Sequence, residues 1–212
     1  ARNPGLRERV YIATKLPIAR CEATTDFDTY LERSLERLRT DHVDYYLVHN
    51  VTSASAWDRL SSLGFEDWVA EQKRSGRITN IGFSYHGPKA DFPALLDSFG
   101  WDFCQIQYNY MNEDYQAGTA GLMAAAERGL PVIIMEPLLG GKLASELPAG
   151  ARRALSDAGL SDDPVRLALR WVWNHPEVTV VLSGMNTLDQ LSQNAETTDS
   201  AFPGSLEAAE ET

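Results

Sequence analysis

Six short apolar runs, separated by stretches of helical or turn character, constrain the fold of this chain more than any other feature. The clearest is Val43-Asp44-Tyr45-Tyr46-Leu47-Val48, which ends on His49. The others cover 10–15, 78–83, 102–107, 131–135 and 178–182. Runs of this length with little apolar–polar alternation suit strands buried on both faces, the pattern of parallel sheets covered by helices. Between them, Leu31, Leu35 and Leu38 recur at helical spacing behind a cap at Thr25 or Asp26, and 66–74 reads as a helix closed by Gly76. Further helices are expected at 92–98, 121–128, after Pro164 and at 188–196. The segment carrying Trp57, Leu60 and Leu63 reads as loop-like, as do 109–118 and 136–142. The 145–163 region reads as irregular, with a short helix at 151–158.

Strands alternating with helices predict a parallel sheet with right-handed crossovers, which a doubly wound sheet and a (β/α) barrel both satisfy. Two features favour the barrel. No GxGxxG follows the first run, and polar residues (Lys15, His49, Ser84, Gln107) cap nearly every strand, as they should when all the loops line one mouth. The expected fold is therefore an α/β (β/α)8 TIM barrel of which six β/α units are present. Residues 1–199 form the barrel domain and 200–212 a loose tail without an apolar stripe.

The 212 residues suit one domain with a sizeable core. A formal charge of -11 argues against a nucleic-acid binder, which would carry a basic face. Cys21 and Cys104 stand in no CxxC spacing, so these residues offer no disulfide framework, zinc site or iron–sulfur site, and Cys104 reads as a small buried hydrophobe. No apolar run approaches the roughly 18 residues of a membrane span, and residues 1–9 do not read as a secretory signal. A cytoplasmic protein free of membrane and nucleic acid is the expectation, with a small molecule as its partner and no oligomeric state assigned.

Several pieces, in order along the chain, resemble the aldo-keto reductase family. They are Ile12-Ala-Thr-Lys15, Asp44-Tyr-Tyr-Leu-Val-His49, Gly76-Arg-Ile-Thr-Asn-Ile-Gly-Phe-Ser84 and Gln105-Ile-Gln-Tyr-Asn109. Met135-Glu-Pro-Leu-Leu-Gly-Gly-Lys142 and Ser183-Gly-Met-Asn186 follow, with Gln190 and Asn194 beyond them. The wording of 101–110 and 181–186 is most similar to a branch whose members often carry a C-terminal iron–sulfur module. An iron–sulfur cluster would accompany this chain only with such a module.

The resemblance implies a (β/α)8 barrel that reduces a small-molecule carbonyl with a nicotinamide cofactor through an Asp, Tyr, Lys and His tetrad. Lys15 matches the lysine and His49 the histidine. The aspartate and tyrosine would precede Ala1, this sequence corresponding to the third to eighth strands. A tyrosine, near pKa 10 when free, can meet a developing alkoxide when a cation favours its ionised form, which is the lysine's part. His49 would hydrogen-bond and orient the carbonyl. His86, two residues after Ser84, could reach the mouth, whereas His42 and His175 read as structural. By the same resemblance Ser84 and Gln105 would bind the nicotinamide carboxamide, and Met135 would stack on the ring through its thioether. Leu138, Gly140, Gly141 and Lys142 would line the pyrophosphate, and Ser183, Gly184, Met185, Asn186, Gln190 and Asn194 the adenosine end. NADP(H) is expected over NAD(H) on family habit, although Gly184 and Gln190 stand where many members place basic residues for the 2′-phosphate. The alternatives within the resemblance are a cofactor-binding regulatory subunit, like the potassium-channel β subunits, and an inactive truncated barrel.

Overall fold

The computed structural model describes residues 5–145, 147–157 and 163–206. Its strands are β1 (Ala13–Leu16), β2 (Val43–Val51), β3 (Ile78–Tyr85), β4 (Phe103–Gln107), β5 (Val132–Met135) and β6 (Val178–Val181). The helices are α1 (Thr24–Leu38), α2 (Ala54–Ser62), α3 (Phe65–Arg74), α4 (Phe92–Asp97), α5 (Gly118–Glu127), α6 (Lys142–Ser145), α7 (Ala149–Asp157), α8 (Pro164–Trp173) and α9 (Leu188–Thr198). Every neighbouring pair of strands is parallel, and the sheet runs β1-β2-β3-β4-β5-β6. That order settles the choice left open by the sequence. A doubly wound sheet reverses its strand order at a switch point. A sheet in which each strand adds beside the last, always on the same side, is the arc of a (β/α) barrel.

Alternation along the strands separates two environments. Val48, Phe83, Tyr85, Ile106, Ile134 and their neighbours join the continuous core beneath the helices. The residues out of phase with them face the lumen. Across the lumen Lys15, Leu47, Gly82 and Phe103 are paired in one row. Gly82 is required there, because a Cβ at this position would stand 2.6 Å from the Phe103 carbonyl oxygen. Gln105 and Ile133 are paired one step nearer the mouth, and Gln107 and Met135 one step further.

Local signals explain most element boundaries. The Asp26 carboxylate accepts from the backbone N–H groups of Glu22 and Ala23 and anchors the start of α1. Asp163 caps α8 by accepting from Arg166 N, with Pro164 at the first helical position. Gly76 follows α3 at a φ of +74°.

Several expectations are corrected. The segment with Trp57 and Leu60 is helix α2, capped by Ser53, whose hydroxyl accepts from Ala56 N. Both apolar residues are buried, Trp57 in an aromatic cluster with Phe65, Phe99 and Trp101. The apolar side is short, so the flanking serines mask it in the sequence. The 145–163 region contains α7, and the part of the expected helix beyond Asp157 lies outside the described residues. The expected loop at 136–142 includes a turn of 3₁₀ helix at Leu139–Gly141. The tail is fastened as far as Leu206: Asn174 Oδ1 accepts from Gly204 N and Leu206 N, and Arg170 donates to Ser205 O. Residues 207–212 lie outside the described residues.

Trp57→Ala should lower unfolding free energy by about 3–5 kcal/mol, the usual loss for a large buried aromatic, read as a lower urea midpoint. A midpoint unchanged from the parent would show that α2 carries none of the core.

Candidate active site

The mouth gathers side chains that the chain holds far apart. Lys15 stands on β1, His49 on β2, Ser84 on β3 and Gln105 on β4. His49 was expected at a strand end but lies inside a longer strand, because β2 continues to Val51 through an irregularity in its pairing with β3. Asn50 sits there at a φ of +63° and donates its backbone N–H to Ser84 Oγ at 2.9 Å. The hydroxyl of Ser84 thus accepts from the protein and keeps its own proton to donate.

Charge and burial act together on His49. Burial chiefly, then the charges of Lys15 and His86, hold its imidazole below the ordinary pKa. His86 is lowered by burial, against an opposing pull from Glu136. Lys15, His49, His86 and Glu136, from the ends of four strands, are therefore close enough to share one electrostatic field. A neutral His49 can both donate and accept a hydrogen bond, as a group orienting a carbonyl must.

None of Tyr45, Tyr46, Tyr85 and Tyr108, on or just beyond β2, β3 and β4, offers itself as a proton donor. Burial raises Tyr46, Tyr85 and Tyr108 above their usual pKa, with Tyr85 pushed up to about 12 and its hydroxyl given to Pro88 O. Tyr45 packs edge-on against Phe103. His42 pairs with Asp41 at the opposite rim, and His175 packs on Trp171 and Tyr108 among the helices. Cys104 is buried, its thiol pushed up to about 12 by burial.

Gln105 and Met135 meet directly, the glutamine amide donating to the thioether sulfur at 2.9 Å. Beyond Met135 a groove of about 600 Å³ opens between the loops after β5 and β6. Leu138, Gly140 and Gly141 form one wall, and Ser183, Gly184 and Met185 the other. Gln190 and Asn194 line it from α9. Gly140 and Gly141 have φ of +64° and +93° with open space where a Cβ would stand, so the chain turns there with its backbone bare toward the groove. Such a wall suits the approach of a phosphate group.

Two expected groove residues are partly occupied with structure. Gln190 Oε1 accepts from Asn186 N and Thr187 N as part of the cap of α9, and Asn194 donates to Ser183 Oγ at 2.9 Å. Asn186 and Lys142 flank the groove without lining it. Lys15, His49, Ser84 and Gln105 lie outside the groove, in the lumen.

The sequence reading missed Glu136, which lines both this groove and a second cleft against the loop after β4. It also treated Gln107 only as a strand cap, although its side chain is 4% exposed and its Nε2 has no hydrogen-bond partner among the described residues. A buried amide without a partner costs about 1–3 kcal/mol. The available signal was Gln107's lumen phase with Gln105. Among the described residues, four of the five non-glycine residues at positive φ (Asn50, Gln116, Glu136, Leu139) also sit at or beyond the C-terminal ends of strands on this face. Backbone strain of this kind concentrates where sites are built.

Strand order and mouth define a (β/α)-barrel protein with its ligand face at the C-terminal ends of the strands. The Aldo/keto reductase family model matches residues 1–205, and the chain belongs to that family. It is 31% identical over 222 residues to the oxidoreductase YrpG of Bacillus subtilis (strain 168), covering 87% of this chain and 66% of that protein. It is 28% identical over 215 residues to the 6-dehydroglucose reductase of Agrobacterium fabrum, covering 91% of this chain and 68% of that protein. The solved aldo-keto reductase AKR11C1 from Bacillus halodurans, in its holo form, shares the fold. The TM-score is 0.76 at 24% identity, over 98% of this chain and 71% of that one. The chain spans about two thirds of the length of the curated relatives it matches. No described helix is long and apolar enough to cross a membrane.

His49 should titrate below the ordinary histidine value near 6.5 when its ring protons are followed by NMR. Lys15→Met removes a repelling charge and should move that titration upward. An unmoved value would show that lysine and histidine do not sense each other.

Proposed function

We propose that the complete protein is an oxidoreductase that reduces an aldehyde or ketone with NAD(P)H. The reading is carried by the placement of Lys15 and His49 on neighbouring strands toward one rim, where burial and then the lysine's charge hold the histidine below its ordinary pKa. When bound, the reduced nicotinamide supplies the hydride. His49, neutral, donates a hydrogen bond to the carbonyl oxygen and sets its angle, while Lys15 favours the ionised form of a tyrosine. By the family pattern that tyrosine would give its proton to the alkoxide, and an aspartate would orient the lysine.

Ser84, with its proton free, and Gln105 would hold the carboxamide, and Met135 would meet the ring face. The groove of Leu138, Gly140, Gly141, Ser183, Gly184, Met185, Gln190 and Asn194 fits an elongated dinucleotide, with Lys142 and Asn186 at its margins. No lysine or arginine is among the described residues lining it, so NADP(H) is preferred to NAD(H) here on family habit alone. Comparable dissociation constants for NADPH and NADH, measured by quenching of tryptophan fluorescence, would overturn that preference.

Lys15→Met in the complete protein should lower kcat by about 10²–10⁴, the usual share of acid–base catalysis, while leaving NADPH binding within about twofold. Turnover equal to the parent's would reject the assignment. Binding of NADPH without carbonyl turnover in the parent itself would indicate a regulatory cofactor binder.

A further inference from the structure

The sequence holds four methionines, Met111, Met123, Met135 and Met185. Three lie at the surface, Met111 at 61%, Met123 at 42% and Met185 at 39% exposure. Met135 differs from them. It is half-buried at the end of β5, and the next residue, Glu136, already lines the long groove. Its sulfur accepts a hydrogen bond from the Gln105 amide at 2.9 Å. A thioether therefore sets the direction of a side chain that faces the mouth.

The sheet leaves the two residues little freedom except in their side chains. Gln105 is 5% exposed and is paired with Ser84 on one side and Ile133 on the other, while Met135 is paired with Gln107. Sulfur is a weak acceptor, so the amide is held by a weak bond in a set direction. Oxidation to the sulfoxide makes this apolar, polarisable side chain polar and chiral. The new oxygen is a far stronger acceptor and stands off the sulfur by a bond length. The amide has to turn to follow it.

We propose that Met135 is a site of reversible oxidation by peroxide, and that its sulfoxide draws the Gln105 amide away and closes this end of the mouth to the nicotinamide. The proposal rests on the reading that places the ring beside Met135 and the carboxamide at Gln105. In the forward step a sulfur lone pair attacks one peroxide oxygen and the O–O bond breaks. The departing hydroxide takes the proton left on the transferred oxygen and becomes water. Sulfur loses two electrons and the peroxide gains them. In the return step, run by methionine sulfoxide reductases, two thiols supply two electrons and become a disulfide, and the oxygen leaves as water. Bound cofactor covers the sulfur, so the empty protein is the one that is modified.

The test treats the complete protein with hydrogen peroxide and maps its peptides by mass. The peptide holding Met135 should gain about 16 Da, and saturating NADPH should suppress that gain while leaving the gain at exposed Met111. The dissociation constant for NADPH, read by tryptophan fluorescence, should rise about tenfold or more, the scale of one lost hydrogen bond. The two methionine sulfoxide reductases with dithiothreitol should restore it. The same treatment should change the constant of Met135→Leu by less than about twofold. If thermal melts show that variant unfolded, Met185→Leu replaces it and should stay as sensitive to peroxide as the parent. An unoxidised Met135, an unchanged constant after its oxidation, or an equal loss in Met135→Leu overturns the proposal, as does insensitivity of Met185→Leu. A parent that binds no nicotinamide nucleotide defeats the reductase reading instead. The NMR signal of the Gln105 side-chain amide in the empty protein then decides: moved by peroxide and returned by the reductases it upholds the oxidation site, unmoved it rejects it.

Discussion

Parallel pairing is the constraint on which everything else here depends. Two parallel strands cannot be joined by a hairpin, so each return must run across the outside of the sheet, and all strand ends of one kind gather on one side. The direct consequence is the row of chemistry-bearing residues at that side. Lys15, His49, Ser84, Gln105 and Met135 are separated by up to 120 positions in the chain, yet each lies near the C-terminal end of its strand. The ladder also fixes which side chains face the lumen, because a slip of one residue would exchange Lys15 with Leu16 and His49 with Val48. The outer core guards the register. Phe83, Tyr85, Phe92 and Trp101 stack beneath the helices and leave no room for the polar set.

Much of this was legible in the sequence, and the reason is periodicity. All six strands were placed by their apolar runs, and the terminal polar residues lie toward one rim, at the C-terminal ends of the strands. What failed to show were features made by few residues or by loops. Helix α2 presents only Trp57 and Leu60 to the core, too short a stripe to stand out among serines. The irregularity that lengthens β2 depends on a hydrogen bond from Asn50 to Ser84, separated by 34 positions, and no local pattern encodes it. The double use of Gln190 and Asn194, as groove residues that also hold the loop before α9, likewise comes from three-dimensional contacts.

The two ends of the sheet carry different loads. At β1 and β2 lie the lysine and histidine, and at β5 and β6 lies the long groove with its glycine turn. Among the described residues β1 and β6 each pair on one side only, and apolar residues there, Tyr11 at 80% and Val180 at 41% exposure, face outward. An open strand edge is a template for further pairing. The edges are thus where additional strands, from whatever source, would bury surface that these residues leave exposed. They are also where the lumen would close around the mouth and strengthen each electrostatic contact inside it by excluding water.

Glu136 joins the two halves. It follows β5 directly, takes a left-handed backbone, lines the groove on one side and the polar cleft on the other, and bears on His86 across the mouth. A carboxylate at that position would be an electrostatic cost to any anion bound in the groove unless something offsets it. His86 is the available offset, since its protonated form is favoured by Glu136 even as burial opposes it. The same residue therefore borders both the groove and the polar cleft, and its left-handed backbone is held by Asn109 from the loop after β4. Moving Glu136 to relieve a contact on one side would therefore disturb both cavities.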